Sequence, residues 1–145
     1  MQPDVDLTFI YSQDVKSKIR VTYRPYLIAT LEYLSKDFNL IVYTAGSFGY
    51  AEPILNDLDP EGLYFAARLY RHNCIQVDRY HLKDLRLITE PLGLDLENIL
   101  LIDNSLLSFT LNLSNGIPIP DFFGESSQEE DKELVFAAQY VNELF

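Results

Sequence analysis

The chain has 145 residues, of which 48% are hydrophobic and 23% are charged, so it is long and apolar enough to bury the core of one folded domain. Its formal net charge of −11 is uneven, because Lys132 is the only basic residue after position 86, against eleven acidic residues there. Phosphate backbones bind basic surfaces, so this charge argues against nucleic acid as a partner. The sequence also predicts no membrane span, and a single cysteine favours an intracellular protein.

The first third of the chain alternates strand and helix patterns. Asp4 and Asp6 stand one residue apart at the head of a β-prone run, and on a strand they would point to the same side. Apolar residues recur at helical spacing over 24–38 and predict a helix. The apolar run 40–43 then predicts a buried strand that ends at Thr44.

A basic segment follows a short predicted helix over 50–58. Short strands are predicted over 63–71 and 74–77, as a small antiparallel β insertion at about 64–82. Five of the eleven basic residues lie in or beside it: Arg68, Arg71, Arg79, Lys83 and Arg86. Such a cluster is most often a solvated surface, but it is also where this chain would receive an anionic group.

The aliphatic run 99–102 predicts a strand buried on both faces, which is typical of a central parallel strand. Asp103 and Asn104 follow it directly. An edge strand is expected over 116–120, where prolines are tolerated, and an amphipathic helix over 129–145. Strands that alternate with helices in this order predict a doubly wound α/β sheet.

Three of the predicted strands carry polar groups that are expected to meet at one edge: Asp4, Asp6 and Thr8 on the first, Thr44 after the second, and Asp103 with Asn104 after the third. The carboxyl ends of parallel strands collect ligands and catalytic groups. Two acids and an amide there suit Mg²⁺, which prefers oxygen ligands. A carboxylate so placed can attack phosphorus, and a second acid two residues on can protonate the leaving oxygen and later activate water. Thr44 and Lys83 would hold the phosphoryl oxygens as charge develops on them.

The ordered motifs also resemble a known family. They are Asp4-Val5-Asp6-Leu7-Thr8, Val42-Tyr43-Thr44-Ala45, Lys83-Asp84-Leu85 and Ile102-Asp103-Asn104-Ser105. In this order they resemble the haloacid dehalogenase superfamily and, within it, the small C-terminal-domain phosphatases and NLI-interacting-factor-like phosphatases. The resemblance implies a Rossmann-like fold with a mostly parallel central sheet flanked by helices, and one phosphatase domain over 1–145.

The resemblance also implies roles for individual residues. Asp4 would be the nucleophile and Asp6 the general acid and base, while Thr44 and Lys83 would contact the phosphoryl group. The implied Mg²⁺ ligands are Asp4, Asp6, Asn104 and Asp103, and the implied substrate-binding residues are Thr8, Arg68, Arg71 and Arg79. The expected substrate is phosphoserine or phosphothreonine in a protein segment, notably the RNA polymerase II tail, in the nucleus or cytoplasm.

Departures from the family pattern support an alternative. Three residues precede Asp4, where the family has four or five apolar residues in a middle strand, so the domain is expected to be truncated before its first strand. Tyr26 stands where the family has a glycine after Arg-Pro. The short loop between Thr8 and Arg24 is similar in length to that of the mitochondrial import-receptor subunit of this fold. The alternative is a weak or inactive pseudophosphatase that binds a protein partner or scaffolds an assembly, with a mitochondrial location possible.

Overall fold

The computed structural model describes residues 5–12, 15–125, 127 and 129–145, which form a mixed α/β protein. The strands are β1 (Val5–Ser12), β2 (Val15–Val21), β3 (Leu40–Tyr43), β4 (Phe65–Leu69), β5 (Ile75–Val77), β6 (Tyr80–Leu82), β7 (Leu101–Asp103) and β8 (Gly116–Pro118). The α-helices are α1 (Leu27–Leu34), α2 (Phe48–Leu58), α3 (Arg86–Leu92) and α4 (Glu133–Leu144). None of these helices has the length and apolarity needed to cross a bilayer.

The parallel strands described in this structure form two pairs, β3 with β4 and β7 with β8. β3 lies parallel to β4, and α2 makes the connection between them, because parallel neighbours cannot be joined by a tight turn. β7 lies parallel to β8, with Asp103 opposite Pro118 in the register. Parallel strands with intervening helices confirm the predicted α/β class.

Apolar clusters cover two sides of these strands. One cluster joins Tyr43 of β3 to Leu101 of β7 and Ile88 of α3. The other joins Ile117 of β8 to α1 and α4, with Leu40 of β3 packed against it. Because residues of both parallel pairs contribute to each cluster, the strands form the middle layer between helices, as a doubly wound pattern requires.

Antiparallel pairing occurs in two hairpins, β1–β2 and β5–β6. The second hairpin confirms the predicted antiparallel insertion, but β4 does not belong to it, since β4 pairs with β3 in the parallel layer. The polar residues 13–18 predict a loop, and this prediction was wrong from Val15 onward, where β2 begins. Pro91 and Gly93 predict a connection, but the structure has α3 over Arg86–Leu92, and Gly93 ends this helix in the left-handed conformation.

A buried carboxylate holds the turn between α2 and β4. Asp59 accepts hydrogen bonds from the backbone N–H groups of Leu63 (2.7 Å), Tyr64 (3.1 Å) and Phe65 (3.1 Å). Burial acts to raise the pKa of Asp59, but these three donors together with the Arg68 guanidinium outweigh it, and the pKa lies below its ordinary value. These hydrogen bonds therefore fix the conformation of the turn that leads into β4.

Tyr26 precedes α1 with an unusual backbone conformation. Its φ of 64° and ψ of 9° lie in the left-handed region, which glycine adopts freely and a residue with a Cβ adopts at a cost. This is the position at which the resemblance implies a glycine. The departure in sequence therefore coincides with a strained backbone position.

We expect Tyr26→Gly to be more stable than Tyr26→Ala by about 1 kcal/mol, because both remove the ring and only alanine retains the left-handed penalty. Urea unfolding of the two variants measures this difference. Tyr33, exposed inside α1, is the matched control: there glycine should be less stable than alanine by about 1 kcal/mol. Equal stability of the two Tyr26 variants would contradict the assigned backbone conformation.

Candidate active site

A cleft of about 390 Å³ opens where β3 and β7 end. The residues that line it come from the loop after β3, the hairpin β5–β6, and the segments that follow β6 and β7. They are Thr44, Ala45, Gly46, Arg79, Tyr80, His81, Lys83, Asp103, Asn104, Ser105, Leu107 and Ser108. Five of the predicted site residues thus share one cleft: Thr44, Arg79, Lys83, Asp103 and Asn104.

Thr44 is held at the end of β3 by two contacts. Its backbone N–H donates to Leu69 O at 2.9 Å, which extends the parallel pairing by one residue. Its hydroxyl oxygen accepts the Gly46 N–H at 3.0 Å. Since the hydroxyl accepts this bond, its own hydrogen can donate toward the cleft. Such a donor is suited to a phosphoryl oxygen.

Lys83 and Asp103 form a buried ion pair between the segment after β6 and the end of β7. Their side chains are 8% and 9% exposed. The ammonium of Lys83 donates to one oxygen of Asp103, and the other oxygen accepts the Ser105 N–H at 2.8 Å. Two of the three ammonium donors are thus left for other acceptors. The pair therefore holds the Lys83 ammonium in a fixed position at the cleft.

Tyr43, the last residue of β3, contacts Lys83 and the residue that follows it. The ammonium lies 5.9 Å from the Tyr43 ring centroid, and the hydroxyl accepts the Asp84 N–H at 3.2 Å. The same hydroxyl donates to Asn73 O at 2.7 Å. Burial raises the pKa of Tyr43, so the hydroxyl stays protonated and keeps its donor. The backbone that directly follows Lys83 is therefore tied to β3.

Asp84 and Arg86, which follow Lys83, are paired with each other at the start of α3. Asp84 accepts the Arg86 N–H at 3.0 Å and pairs with the Arg86 guanidinium at 2.7 Å. The hydrogen bond from the Arg86 side chain is the largest cause of the lowered pKa of Asp84, so this carboxylate stays ionised near neutral pH. Lys83 is consequently followed by an anchored helix.

The predicted basic substrate-binding residues lie in different places. Arg79 lines the cleft, with its guanidinium 5.2 Å from the Tyr80 ring centroid. Arg71 donates from Nε to Ala45 O at 2.7 Å, beside the cleft. Arg68 is not among the lining residues; its guanidinium bonds Glu52 (3.2 Å) and Asn56 (2.8 Å) of α2. The structure therefore brings Arg79 to the cleft and engages Arg68 with α2.

Asp4 lies outside the described residues, and so do the side chains of Asp6 and Thr8. Within the residues that are described, no group of three histidine, cysteine, aspartate or glutamate side chains is placed to hold a metal ion. Asp103 and Asn104 contribute oxygen donors, the chemistry that Mg²⁺ prefers, and Mg²⁺ needs few protein ligands because it keeps several waters. The oxygen donors that the structure describes at this cleft are of the kind that Mg²⁺ binds.

Sequence reasoning missed one polar neighbour of this set. Asn104 donates from Nδ2 to Asp121 Oδ1 at 2.6 Å, although the two residues are 17 positions apart. Asp121 follows the edge strand β8, which runs parallel to β7. The sequence predicted an edge strand over 116–120, but nothing in the local pattern singled out Asp121, which follows it.

Comparison with known proteins identifies the family. A sequence model described as NLI interacting factor-like phosphatase matches residues 3–145. The chain belongs to this family. Since that match spans the cleft residues and their order, the resemblance seen in the motifs is confirmed.

Proteins of several organisms are similar to the chain in sequence. CTD small phosphatase-like protein 2 of Dictyostelium discoideum is 36% identical over 139 residues, which cover 95% of this chain and 23% of that protein. Nuclear envelope morphology protein 1 of Schizosaccharomyces pombe is 34% identical over 124 residues, covering 83% and 25%. The human carboxy-terminal domain RNA polymerase II polypeptide A small phosphatase 1 is 31% identical over 121 residues, covering 83% and 44%. The chain thus spans less than half of the length of each of these relatives.

We expect Lys83→Met and Asp103→Leu each to lower the free energy of unfolding by about 3–5 kcal/mol, because each leaves one buried charge without its partner. The double variant removes both charges and should recover most of the loss. Urea unfolding of the four proteins, wild type included, measures the coupling between the two sites. Losses that simply add in the double variant would contradict an ion pair buried in this way.

Proposed function

We propose that this chain is a Mg²⁺-dependent protein phosphatase that hydrolyses phosphoserine or phosphothreonine in a protein segment through an aspartyl-phosphate on Asp4. The observation that carries the proposal is the shared cleft, in which Thr44, the Lys83–Asp103 pair and Asn104 meet at the ends of β3 and β7. Membership of the phosphatase family supports the same reaction. We treat 1–145 as one phosphatase domain.

In the first step, the Asp4 carboxylate attacks phosphorus and the bond from phosphorus to the serine or threonine oxygen breaks. Asp6 gives its proton to that oxygen, and the alcohol leaves. In the second step, Asp6 takes a proton from water, and the oxygen of that water attacks the phosphorus of the aspartyl-phosphate. Inorganic phosphate leaves and Asp4 is again a carboxylate.

The remaining residues stabilise the phosphoryl group. Thr44 donates its hydroxyl hydrogen and Lys83 its ammonium hydrogens to phosphoryl oxygens, where negative charge develops. Asp103 keeps the Lys83 ammonium oriented, since the pair is buried and shares a hydrogen bond. Asp4, Asp6 and Asn104, supported by Asp103, would hold Mg²⁺, which would offset part of the negative charge that develops on the phosphoryl group.

The substrate class follows from the charge around the cleft. Arg79 lies on its rim and Arg71 beside it, so the approach to the phosphoryl site carries positive charge in an otherwise acidic chain. One relative is named for the carboxy-terminal domain of RNA polymerase II and another for nuclear envelope morphology. We therefore propose a phosphorylated protein segment as the substrate, in the nucleus or cytoplasm.

The first test is hydrolysis of p-nitrophenyl phosphate by wild type and Asp4→Asn, with Mg²⁺ and with a chelator. We expect turnover that requires Mg²⁺, and a loss of at least ~10³-fold in kcat in the variant, because a nucleophile cannot be replaced by an amide. Asp37→Asn, an exposed acid near the end of α1, is the matched control and should retain wild-type turnover.

Turnover that survives Asp4→Asn would exclude Asp4 as the nucleophile. Absence of turnover in a folded wild-type protein would exclude the phosphatase and leave the alternative, a pseudophosphatase that binds a protein partner. A phosphorylated enzyme that forms with substrate and is cleaved by hydroxylamine would support the acyl-phosphate step, because hydroxylamine attacks acyl phosphates and leaves phosphate esters intact.

The two arginines Arg79 and Arg68 should respond differently. We expect Arg79→Ala to raise KM for a phosphoserine peptide about fivefold, which corresponds to ~1 kcal/mol for an exposed charge contact, with little change for p-nitrophenyl phosphate. Arg68→Ala should lower stability and leave KM unchanged, because its guanidinium is bonded to α2. Steady-state kinetics on both substrates and urea unfolding measure these effects; a raised KM in Arg68→Ala alone would contradict this assignment.

A further inference from the structure

The hydrogen bond between Asn104 and Asp121 lies at the mouth of the candidate active site. Asn104 follows β7 and lines the cleft, and its amide nitrogen lies 2.6 Å from Asp121 Oδ1. Both side chains are exposed, so this bond does not serve the core. It connects a residue of the phosphoryl site to a residue to which neither the motifs nor the proposed reaction assigns a role.

The chemistry of the two groups determines which way the amide faces. An ionised carboxylate only accepts hydrogen bonds, so the atom of Asn104 that faces Asp121 must be the NH₂ group. The amide oxygen then points away from Asp121, and this oxygen is the atom of Asn104 that can bind a cation. An asparagine without such a partner has a broad, roughly two-fold preference about its last torsion and presents nitrogen as readily as oxygen.

Asp121 is itself held on both sides along the chain. The Arg24 guanidinium donates to Pro120 O at 2.6 Å and lies 5.6 Å from the ring centroid of Phe122. Arg24 in turn bonds both carboxylate oxygens of Asp131 at 3.0 and 3.1 Å, and the two side chains are 11% and 7% exposed. The residues before and after Asp121 are therefore anchored by a buried ion pair.

The backbone of the same segment is tied to the end of β7. The Ile119 N–H donates to Asp103 O at 3.0 Å, one residue beyond the β7–β8 pairing. Pro118 and Pro120 restrict φ on either side of Ile119. The carboxylate of Asp121 is thus presented to Asn104 from a stiff segment, as a supporting group must be if it is to orient another side chain.

We propose that Asp121 is a positioning residue that orients the amide oxygen of Asn104 toward a bound divalent cation. It acts through the hydrogen bond to Asn104 and does not touch the cation. The inference rests on the proposed function, since that function makes Asn104 a Mg²⁺ ligand. Asp121, which follows β8, is thereby included in the site.

The test compares two neutral variants, Asp121→Asn and Asp121→Ala, so that the loss of charge is the same in both. Asparagine can still accept the Asn104 N–H through its amide oxygen, whereas alanine cannot. We expect Asp121→Asn to bind Mg²⁺ about tenfold more tightly than Asp121→Ala, at the low end of what supporting hydrogen bonds contribute to metal affinity. Isothermal titration calorimetry with MgCl₂, without substrate, measures this ratio.

A second measurement reports orientation without metal. Nitrogen-15 relaxation of the Asn104 side-chain amide in the metal-free protein should show an ordered group in wild type and Asp121→Asn, and a mobile one in Asp121→Ala. Glu125→Gln, an exposed acid on the same segment, is the control and should change neither the amide order nor the Mg²⁺ affinity. Thermal unfolding checks that each variant is folded.

Equal Mg²⁺ affinity of the two Asp121 variants would overturn the proposal. An affinity difference without a change in amide order would also overturn it, because Asp121 would then contact the cation directly. Absence of Mg²⁺ binding by wild type would overturn it together with the metal-dependent function. Hydrolysis by wild type with equal affinities removes this inference alone, whereas the expected affinity ratio without hydrolysis removes the proposed function alone.

Discussion

Lys83 and Asp103 face each other in a setting from which water is largely excluded, and several parts of the molecule meet at this pair. The end of β7 supplies the acid, the segment between β6 and α3 supplies the base, and Tyr43 of β3 lies beneath the ammonium. Neither charge is tolerated there without the other. The contact that joins these elements is therefore the same contact that gives the cleft its oriented positive charge.

Much of the arrangement could be predicted from local pattern. The apolar runs that became β3 and β7 are followed at once by Thr44 and Asp103, and parallel strands bring such residues to one edge. Lys83 was predictable from its place in the motif order. The period of a strand and the residue that follows it are both visible in the sequence. Thr44, Lys83 and Asp103 could therefore be predicted as site residues without knowing which distant parts of the chain are in contact.

Which strand pairs with β4 and which side chains bond Arg68 were less predictable, because both depend on contacts between distant parts of the chain. β4 has the composition of an insertion strand, but pairing with β3 through α2 placed it in the parallel layer. Arg68 belongs to the basic cluster in sequence, yet the acid and amide that engage it lie on α2. Proline breaks most helices, and α3 ends at Leu92, one residue after Pro91. In each case tertiary packing overrode a sound local expectation.

The ion pair between Arg24 and Asp131 spans 107 positions of the chain and encloses the elements from α1 to β8. Closing a loop of that length costs entropy that one ion pair cannot offset early in folding. The pair is therefore expected to form after the transition state, when β7, β8 and the helices have already assembled. Interactions that form late govern how fast a protein unfolds more than how fast it folds. We therefore expect loss of the Arg24–Asp131 pair to raise the unfolding rate more than it lowers the folding rate.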